Sequence, residues 1–304
     1  MTENGRAALL MTVAMALFAV EDAFIKTLTL LMPVPQLLAL AGLCGGVVFW
    51  LRLARRRRAM WTPMLLHPMV VARNLGELVG AFGFVTALAQ GDLAVTSAIL
   101  QVLPLTIMMG AALFLGEAVG WRRWLSVAVG FLGVLLILRP GTGDFDMAML
   151  WAVLGVAGLT LRDLATRLIP AEVPSDQLSA SAYLAMVPVG LALALLGGEP
   201  VVMPGLWQWA MLAGMILFGV LGYAALVAAS RLGEASVVAP FRYTRLGFAL
   251  VVAMVVFGER PDLLTLAGAA LIALAGGYAM WREARTRRPV VAAAVDGLPG
   301  PGRR

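Results

Sequence analysis

The sequence predicts an all-α integral membrane protein with ten transmembrane helices, arranged as two inverted five-helix repeats. Hydrophobic residues make up 61% of the 304 residues and charged residues only 13%, a balance that cannot give a soluble fold a wettable surface. The apolar residues fall into stretches of about 20 residues, the length at which a helix crosses hydrocarbon while satisfying its own backbone hydrogen bonds. The second half of the chain also repeats motifs of the first half at a nearly constant spacing.

Ten apolar stretches follow one another, and each is predicted to be one membrane span. They occupy residues 7–31, 35–53, 70–89, 93–115, 122–138, 147–169, 178–197, 207–229, 237–257 and 263–281. The first stretch contains three ionisable residues and lacks a small-residue cleavage pattern, so it is predicted to be a span rather than a signal peptide. The spans define a first repeat at 1–140, a second repeat at 141–285 and a cytoplasmic tail at 286–304, which is predicted to be disordered because it is rich in Arg, Pro and Gly.

Four motifs recur in register between the two halves. The first two pairs are offset by 141 residues and the other two by 142, and they are Glu21-Asp22-x3-Lys26 with Arg162-Asp163-x3-Arg167, Pro33-x2-Gln36-Leu37 with Pro174-x2-Gln177-Leu178, Gly91-Asp92 with Gly233-Glu234, and Gly116-Glu117 with Gly258-Glu259. Four coincidences in register indicate duplication. Because five spans per half is an odd number, the second half enters the membrane in the opposite direction, which makes the repeats inverted.

The arginines predict the orientation, because cytoplasmic loops retain Lys and Arg during insertion. With the N-terminus inside, the inner connections and the tail hold most of them, namely Arg52, Arg55, Arg56, Arg57, Arg58, Arg122, Arg123, Arg231, Arg282, Arg285, Arg287 and Arg288. The outer connections offer little beyond Arg139 and Arg260. Both termini are therefore predicted to be cytoplasmic. The net charge of +6 follows from this topology and gives no reason to expect a nucleic-acid partner.

Ionisable and polar groups inside the spans are the candidate functional residues, because a charge at the bilayer centre is costly unless it faces a polar cavity or a partner. The predicted substrate-binding residues are Glu21, Asp22, Glu77, Gln101, Asp163, Arg242, Tyr243 and Arg245.

In the first span, Asp22 and Lys26 are four residues apart, so they share a helix face and can pair. Asp163 and Arg167 repeat that spacing in the sixth span. A buried ion pair that fixes the register of the two halves is the alternative to a binding role for Asp22. Glu21 has no acidic counterpart, since Arg162 occupies its matched position, and this asymmetry indicates a substrate-binding or proton-binding role.

Two further spans carry charges. In the third span, Arg73 is predicted to extend towards the interface, whereas Glu77 lies a turn deeper and is predicted to face a cavity. In the ninth span, Arg242 and Arg245 share a face and are predicted to bind an anion or to pair with the acids of the other spans. Pro104 is predicted to kink the fourth span. Two groups are predicted to be structural. The first is the glycines of Gly76-x3-Gly80, Gly219-x2-Gly222, Gly130-x2-Gly133 and Gly276-Gly277. The second is the carboxylates of Glu117 and Glu259, which are expected to cap a helix or to pair with Arg122, Arg123 or Arg260.

Absent motifs narrow the function. The sequence has no G-x4-G-K-[ST] phosphate loop, so ATP hydrolysis within this chain is not expected. One histidine, His67, and one cysteine, Cys44, are too few for a His/Cys metal cluster or an internal disulfide, and no cofactor is predicted. A membrane-embedded aspartyl protease is the enzyme alternative, suggested by Gly141-Thr142-Gly143-Asp144, but this string follows Pro140 in a connection, where no second aspartate at membrane depth can share a proton. A channel is the third class, and it would need a continuous polar stripe.

Two five-helix halves, a glycine-acid pair closing the fourth helix of each half, and Gly-rich fifth helices resemble the drug/metabolite transporter superfamily, and within it the EamA-type carriers. The resemblance covers residues 7–285. It implies a central cavity lined by the first, third and fourth helices of each half, alternating access and a bacterial inner membrane. The run Ala239-Pro240-Phe241-Arg242-Tyr243 also resembles a pattern of riboflavin and S-adenosylmethionine uptake members.

The function expected from this resemblance is secondary transport of a small organic metabolite, with no enzymatic activity. Riboflavin and S-adenosylmethionine are the solutes that it suggests. Export of amino acids, metallophores or other metabolites is the alternative. The bilayer and the solute are the expected partners, a coupling proton is suggested by Glu21, and the carrier is expected to be a monomer or homodimer.

Overall fold

The computed structural model describes residues 2–117, 119–140, 146–170, 172–198, 200–232 and 238–296. The regular elements of this part of the chain are helices. The α-helices are α1 Glu3–Thr29, α2 Val34–Arg55, α3 Pro68–Gln90, α4 Leu93–Leu100, α5 Leu103–Phe114, α6 Trp121–Leu138, α7 Ala148–Arg167, α8 Ser175–Gly197, α9 Leu206–Leu232, α10 Thr244–Val256 and α11 Leu263–Asp296, with short 3-10 helices at Pro63–Leu66 and Ala239–Tyr243.

Within the described ranges, nine helical segments are long and apolar enough to cross a membrane, and they coincide with nine of the predicted spans. The fourth span is α4 followed by α5, interrupted at Gln101 and Val102. Pro104 explains the interruption, because it has no N–H to donate to the carbonyl of Leu100, one helical turn earlier. The ninth predicted span, 237–257, is the 3-10 helix Ala239–Tyr243 followed by α10.

The two halves pack as a symmetric pair. α1 packs against α9 and α3 against α7, while α2 packs against α8, α6 against α11, and α4 against α10. The last three contacts each join a helix to its repeat-mate. The first two each join the first helix of one half to the third helix of the other half. Phe24 lies at Gly214 and Ala14 at Gly222, so α1 and α9 run antiparallel. This register is the one that two inverted repeats require, and the predicted fold class is confirmed.

Glycines bring the backbones of α3 and α7 together. A methyl group added to Gly76 would lie 2.5 Å from the backbone nitrogen of Arg162, and one added to Gly83 would lie 2.5 Å from that of Gly155. Small residues are enriched at such interfaces because close backbone approach adds van der Waals contact in lipid. The packing role predicted for Gly76 is therefore confirmed, whereas a methyl group added to Gly277 would meet no atom of another helix within 4 Å in the described structure.

The matched glycine-glutamate pairs end α5 and α10 in the same way. Gly116 and Gly258 have φ angles of 68° and 66°, a left-handed conformation that glycine adopts without a Cβ clash. The following N–H groups then donate back into the helix, from Glu117 to the carbonyl of Ala111 at 3.2 Å and from Glu259 to that of Ala253 at 3.0 Å. This is a Schellman-type end, and it turns each glutamate out of its helix.

The matched glutamines hold the halves together across the sequence. Gln36 donates to the carbonyl of Val202 at 2.5 Å and accepts from its N–H at 2.9 Å. Gln177 donates to the carbonyl of Met60 at 3.1 Å and to the hydroxyl of Thr62 at 3.0 Å. Each glutamine lies in the second helix of its own half. It binds the connection that precedes the third helix of the other half, α9 for Gln36 and α3 for Gln177. The sequence marked these residues as repeated but assigned them no role.

Three expectations concern the chain ends and connections. α11 continues to Asp296, beyond residue 285, at which the second repeat was predicted to end. The remainder of the predicted disordered tail, 297–304, lies outside the described residues, as do the string Gly141-Thr142-Gly143-Asp144 and the pair Gly233-Glu234.

Candidate functional site

Five of the predicted site residues fall into two groups at contacts between the halves, namely Glu21, Asp22, Glu77, Asp163 and Arg245. One group lies between α1 and α10, and the other between α3 and α7. In each group the first half of the chain supplies one partner of an ion pair and the second half supplies the other.

Asp22 of α1 pairs with Arg245 of α10. The guanidinium donates from Nη2 to both carboxylate oxygens at 2.8 Å and from Nε to Oδ2 at 3.2 Å. The side chain of Asp22 is only 2% exposed, and the ring of Phe18 lies 5.4 Å from the guanidinium. Such a fork of charge-assisted hydrogen bonds fixes both orientation and distance. The pair joins the two halves, as the register-fixing alternative for Asp22 required.

The predicted pair between Asp22 and Lys26 is wrong. Lys26 instead binds Glu259 of the connection before α11, with 2.5 Å between Nζ and Oε1. The pair of Asp163 and Arg167 is also absent, because Asp163 accepts from Arg162 at 2.7 Å and Arg167 reaches another carboxylate. Helical spacing allowed both predicted pairs. The closer partners are Arg245 and Glu259 for the first pair, and Arg162 and Glu117 for the second.

Glu21 lies against α9. A methyl group added to Gly219 would lie 2.5 Å from Glu21 Oε1, so the carboxylate fills the space that this glycine leaves. In the part of the chain that the structure describes, no side-chain hydrogen bond or ion pair of Glu21 is formed. Asp22 and Arg245 are its electrostatic neighbours. A carboxylate left without a partner next to a complete ion pair is available to a solute or a proton.

The second group surrounds Glu77 of α3. Arg73 Nη2 lies 3.5 Å from Glu77 Oε2, and Arg162 Nη1 of α7 lies 3.4 Å from Glu77 Oε1. Arg162 also binds the neighbouring Asp163 at 2.7 Å through Nε. The side chains of Glu77, Arg162 and Asp163 keep 21%, 26% and 33% of their surface accessible, so the group is partly open.

The prediction that Arg73 extends towards the interface is wrong. Its side chain is only 11% exposed and donates to the carbonyl of Leu178 at 2.9 Å and to Asn74 Oδ1 at 3.1 Å. Because a carbonyl of α8 and the carboxylate of Glu77 are both within reach, the guanidinium is satisfied inside the protein and gains nothing from extending to water.

Tyr183 of α8 is a candidate that the sequence analysis missed. Its ring stacks on Phe49 with centroids 5.6 Å apart, and the ring occupies the space left by Gly45. The charged side chains of Glu21, Glu77, Arg73 and Arg162 are its electrostatic neighbours. The sequence gave no signal for it, because Tyr183 is an uncharged residue in an apolar span and belongs to none of the repeated motifs.

The remaining predicted residues lie around the breaks in the fourth and ninth spans. Gln101 donates to the backbone carbonyl of Tyr243 at 3.4 Å and so connects the two breaks. The hydroxyl of Tyr243 is buried without a hydrogen-bond partner and points at Gly276 of α11. Arg242 is exposed and interacts electrostatically with Asp163. The structure therefore brings Asp22 and Arg245 together, and Glu77 and Asp163 through Arg162, while Tyr243 points elsewhere.

Outside the spans, an ion pair between Arg139 and Asp262 joins the C-terminal end of α6 to the start of α11. Hydrogen bonds from Arg139 and from the backbone N–H of Thr265 hold the pKa of Asp262 well below its ordinary value. Because hydrogen bonds to a carboxylate favour its charged form, this pair strengthens as the pH rises through the acid range.

Two inverted halves that meet around buried charges have the architecture of a membrane transporter. The chain belongs to the EamA-like transporter family, whose sequence profile matches residues 5–139 and 146–277. The two matched segments correspond to the two repeats, and the expected family is confirmed.

Three curated relatives span both directions of transport. An S-adenosylmethionine uptake transporter of Rickettsia bellii is 27% identical over 213 residues, 70% of this chain and 72% of that protein. A riboflavin transporter of Vibrio cholerae is 30% identical over 193 residues, 63% of this chain and 64% of that protein. A pseudopaline exporter of Pseudomonas aeruginosa is 25% identical over 275 residues, 88% of this chain and 93% of that protein.

A solved crystal structure also has this fold. It aligns with a TM-score of 0.58 at 20% sequence identity and covers 92% of this chain and 98% of its own. The family and the relatives make this chain a multi-pass membrane transporter for a small metabolite.

Proposed function

We propose that the protein is a secondary carrier in a bacterial inner membrane that moves a zwitterionic or hydrogen-bonding metabolite by alternating access. The observation that supports this most directly is that both charged groups are shared between the halves. Asp22 and Glu77 belong to the first half, and their partners Arg245 and Arg162 belong to the second. A relative movement of the halves must therefore change the site itself, which is the requirement of alternating access around a central site.

The mixed charge of the site favours a solute that carries both signs. Arg162, whose side chain is 26% exposed, offers a guanidinium group to a carboxylate or another anion, and Glu21 offers an unpaired carboxylate to a cation. We infer that the solute is an S-adenosylmethionine-like zwitterion, which has an ammonium, a sulfonium and a carboxylate, rather than riboflavin, which has no permanent charge. The relative from Rickettsia bellii supports this class.

Export is the second candidate. It is favoured by the pseudopaline exporter, the relative whose match extends over 88% of this chain. The site described above suits either direction, because a carrier with alternating access binds its solute from both sides. The gradient that drives transport sets the direction, and Glu21 is the group proposed to couple it to protons.

The binding experiment measures the thermal stability of the detergent-purified protein with S-adenosylmethionine, riboflavin and several amino acids. A ligand that binds the folded state raises its melting temperature. Solute counterflow in proteoliposomes then tests transport. Saturable counterflow identifies a carrier. In the same proteoliposomes, a current that rises linearly with voltage identifies a channel, and cleavage of an added peptide identifies a protease.

Variants locate the site. Tyr183→Phe removes only the hydroxyl and is expected to weaken solute binding, whereas Tyr223→Phe, which alters an exposed tyrosine of α9, is the matched control. Gly219→Ala is expected to displace the Glu21 carboxylate and to lower transport, because the added methyl group overlaps it. If Tyr183→Phe and Gly219→Ala both transport at the rate of the parent protein, the proposed site is wrong.

Proton coupling is tested with Glu21→Gln. Uptake by the parent protein is expected to change between about pH 5.5 and pH 8, the range over which cellular proton gradients operate and histidine-like groups titrate. Uptake by Glu21→Gln is expected to be flat over that range. An unchanged pH profile in the variant would exclude Glu21 as the proton site. The proposed cytoplasmic location of both termini is tested separately with reporter domains fused to each end.

A further inference from the structure

Two matched contacts between the halves have different geometries in this structure. The first is the pair of Lys26 and Glu259, and the second is the pair of Arg167 and Glu117. The repeat relates them, because Lys26 corresponds to Arg167 at an offset of 141 and Glu117 to Glu259 at an offset of 142. By the predicted topology they lie on opposite sides of the membrane, the first pair on the outer side.

The pair of Lys26 and Glu259 is buried and makes several hydrogen bonds. Its side chains are 11% and 7% exposed, and 2.5 Å separates Nζ from Oε1. Lys26 also donates to the carbonyl of Gly91 at 3.0 Å. The two oxygens of Glu259 accept the backbone N–H groups of Leu93 and Ala94 at 2.8 Å and 2.9 Å.

These contacts explain why the chain tolerates a buried pair here. The first N–H groups of a helix have no partner within the helix, and they favour a negative charge. Asp92, the residue before α4, makes no side-chain cap, so Glu259 of the other half supplies it. Lys26 neutralises the same carboxylate. One side chain therefore joins α1, the start of α4 and the end of α10.

The pair of Arg167 and Glu117 is looser. The guanidinium and carboxylate are 2.8 Å apart, but the side chains are 44% and 49% exposed. An exposed pair of this kind contributes little to stability. The two matched contacts thus differ in burial, because the side chains of the first pair are buried and those of the second are exposed.

We propose that the two pairs are alternating locks, and that a lock is closed when its ion pair is buried between the halves. In this structure the Lys26–Glu259 pair is buried, whereas the Arg167–Glu117 pair is formed but exposed. The inference rests on the alternating access proposed above. In the opposite state, Lys26 and Glu259 separate and release the start of α4, while Glu117 and Arg167 become buried. The solute site then opens to the side of Lys26.

The lock is tested by the chemical accessibility of a cysteine, so no solute is needed. Ala94 is 1% exposed and lies beneath the cap, and Ala94→Cys in a Cys44→Ser background places a single thiol there. A membrane-impermeant maleimide is applied separately to right-side-out and inside-out vesicles. The closed lock predicts slow labelling from both sides, with complete labelling after denaturation.

Opening the lock should accelerate labelling from one side only. Glu259→Gln is expected to raise the rate from the side of Lys26 by about tenfold or more, since losing a charge-assisted hydrogen bond shifts an equilibrium by that factor or more. Lys26→Met is expected to act in the same direction, and Lys26→Arg to retain slow labelling.

Two controls separate the lock from general loosening. Glu117→Gln alters the matched carboxylate and should leave the rate unchanged or lower it, because it weakens the opposite state. Asp262→Asn breaks an ion pair on the same predicted side, where Asp262 is 49% exposed, and should leave the rate unchanged. Equal labelling rates in the parent and in Glu259→Gln would overturn the lock, and so would an increase in all variants.

The lock and the carrier proposal fail in different ways. If Glu259→Gln accelerates labelling but the parent shows no counterflow with any solute, the lock is correct and the carrier proposal is unsupported. If the parent shows saturable counterflow but labelling does not respond to Glu259→Gln, the carrier proposal stands and the lock is wrong.

Discussion

Removing Arg245 should destabilise the protein more than removing both members of its ion pair. Arg245→Met leaves the carboxylate of Asp22 buried, with its side chain only 2% exposed and its three hydrogen bonds from the guanidinium lost. Breaking a buried pair by removing one partner costs about 3–5 kcal/mol, because the remaining charge is uncompensated. The double variant Asp22→Asn, Arg245→Met leaves no such charge and should recover at least about half of that loss.

The assay is a double-mutant cycle on the free energy of unfolding in mixed detergent micelles, over conditions in which refolding is reversible. The parent, both single variants and the double variant complete the cycle, and the coupling energy is the amount by which the single losses fail to add. Arg242→Met is the matched control, since Arg242 is an exposed arginine of the same segment and is expected to change stability little. Additive losses would mean that Asp22 and Arg245 do not stabilise each other, and the site described here would have to be redrawn.

Three further predictions address the packing of the halves and the connections. Gly83→Ala should lower the melting temperature in detergent, because the new methyl group would lie 2.5 Å from the backbone nitrogen of Gly155, and an unchanged value would show that α3 and α7 separate without cost. Gln36→Leu should make the connection at Val202 more sensitive to added protease, since both hydrogen bonds to that residue are lost, whereas equal cleavage of the parent and the variant would contradict this. The depressed pKa of Asp262 means that its ion pair with Arg139 stabilises the fold above about pH 4, the ordinary range of an aspartate, and that this contribution is lost as the pH falls through the folded-state pKa. The difference in melting temperature between the parent and Asp262→Asn should therefore shrink on acidification from pH 7 to about pH 3, and a difference that grows would refute the assigned sign.

The sequence predicted the fold because hydrophobic length and internal repetition are both visible in one dimension. The spans, the break at Pro104 and the inverted halves required no knowledge of side-chain contacts. Helical spacing was a weaker guide to pairing. It showed that Asp22 and Lys26 share a face, but it could not show that Arg245 and Glu259, far away in sequence, approach that face from the other half.

The repeat contained more information on pairing than helical spacing did. Lys26 and Arg167 are matched basic residues, and Glu117 and Glu259 are matched acidic ones, so a contact found for one pair implies the same contact for the other. The sequence predicted that each acid caps a helix or pairs with its nearest arginines, but it could not identify the partner because the three-dimensional relation of the halves was unknown. Once α1 is known to pack against the second half, the matched partners become evident.

The proposed solute site rests on the departures from symmetry rather than on the symmetry. Glu21 and Arg162 occupy matched positions, yet Arg162 binds Glu77 and Asp163 whereas Glu21 has no such partner in the described structure. Two identical halves would give a site with the same charge on each side of its pseudo-twofold axis. Opposite charges at matched positions give a site with a direction, in which one end attracts a cation and the other an anion. A solute with separated charges can then bind in one orientation only, and this is the property that distinguishes a selective carrier from a symmetric pore.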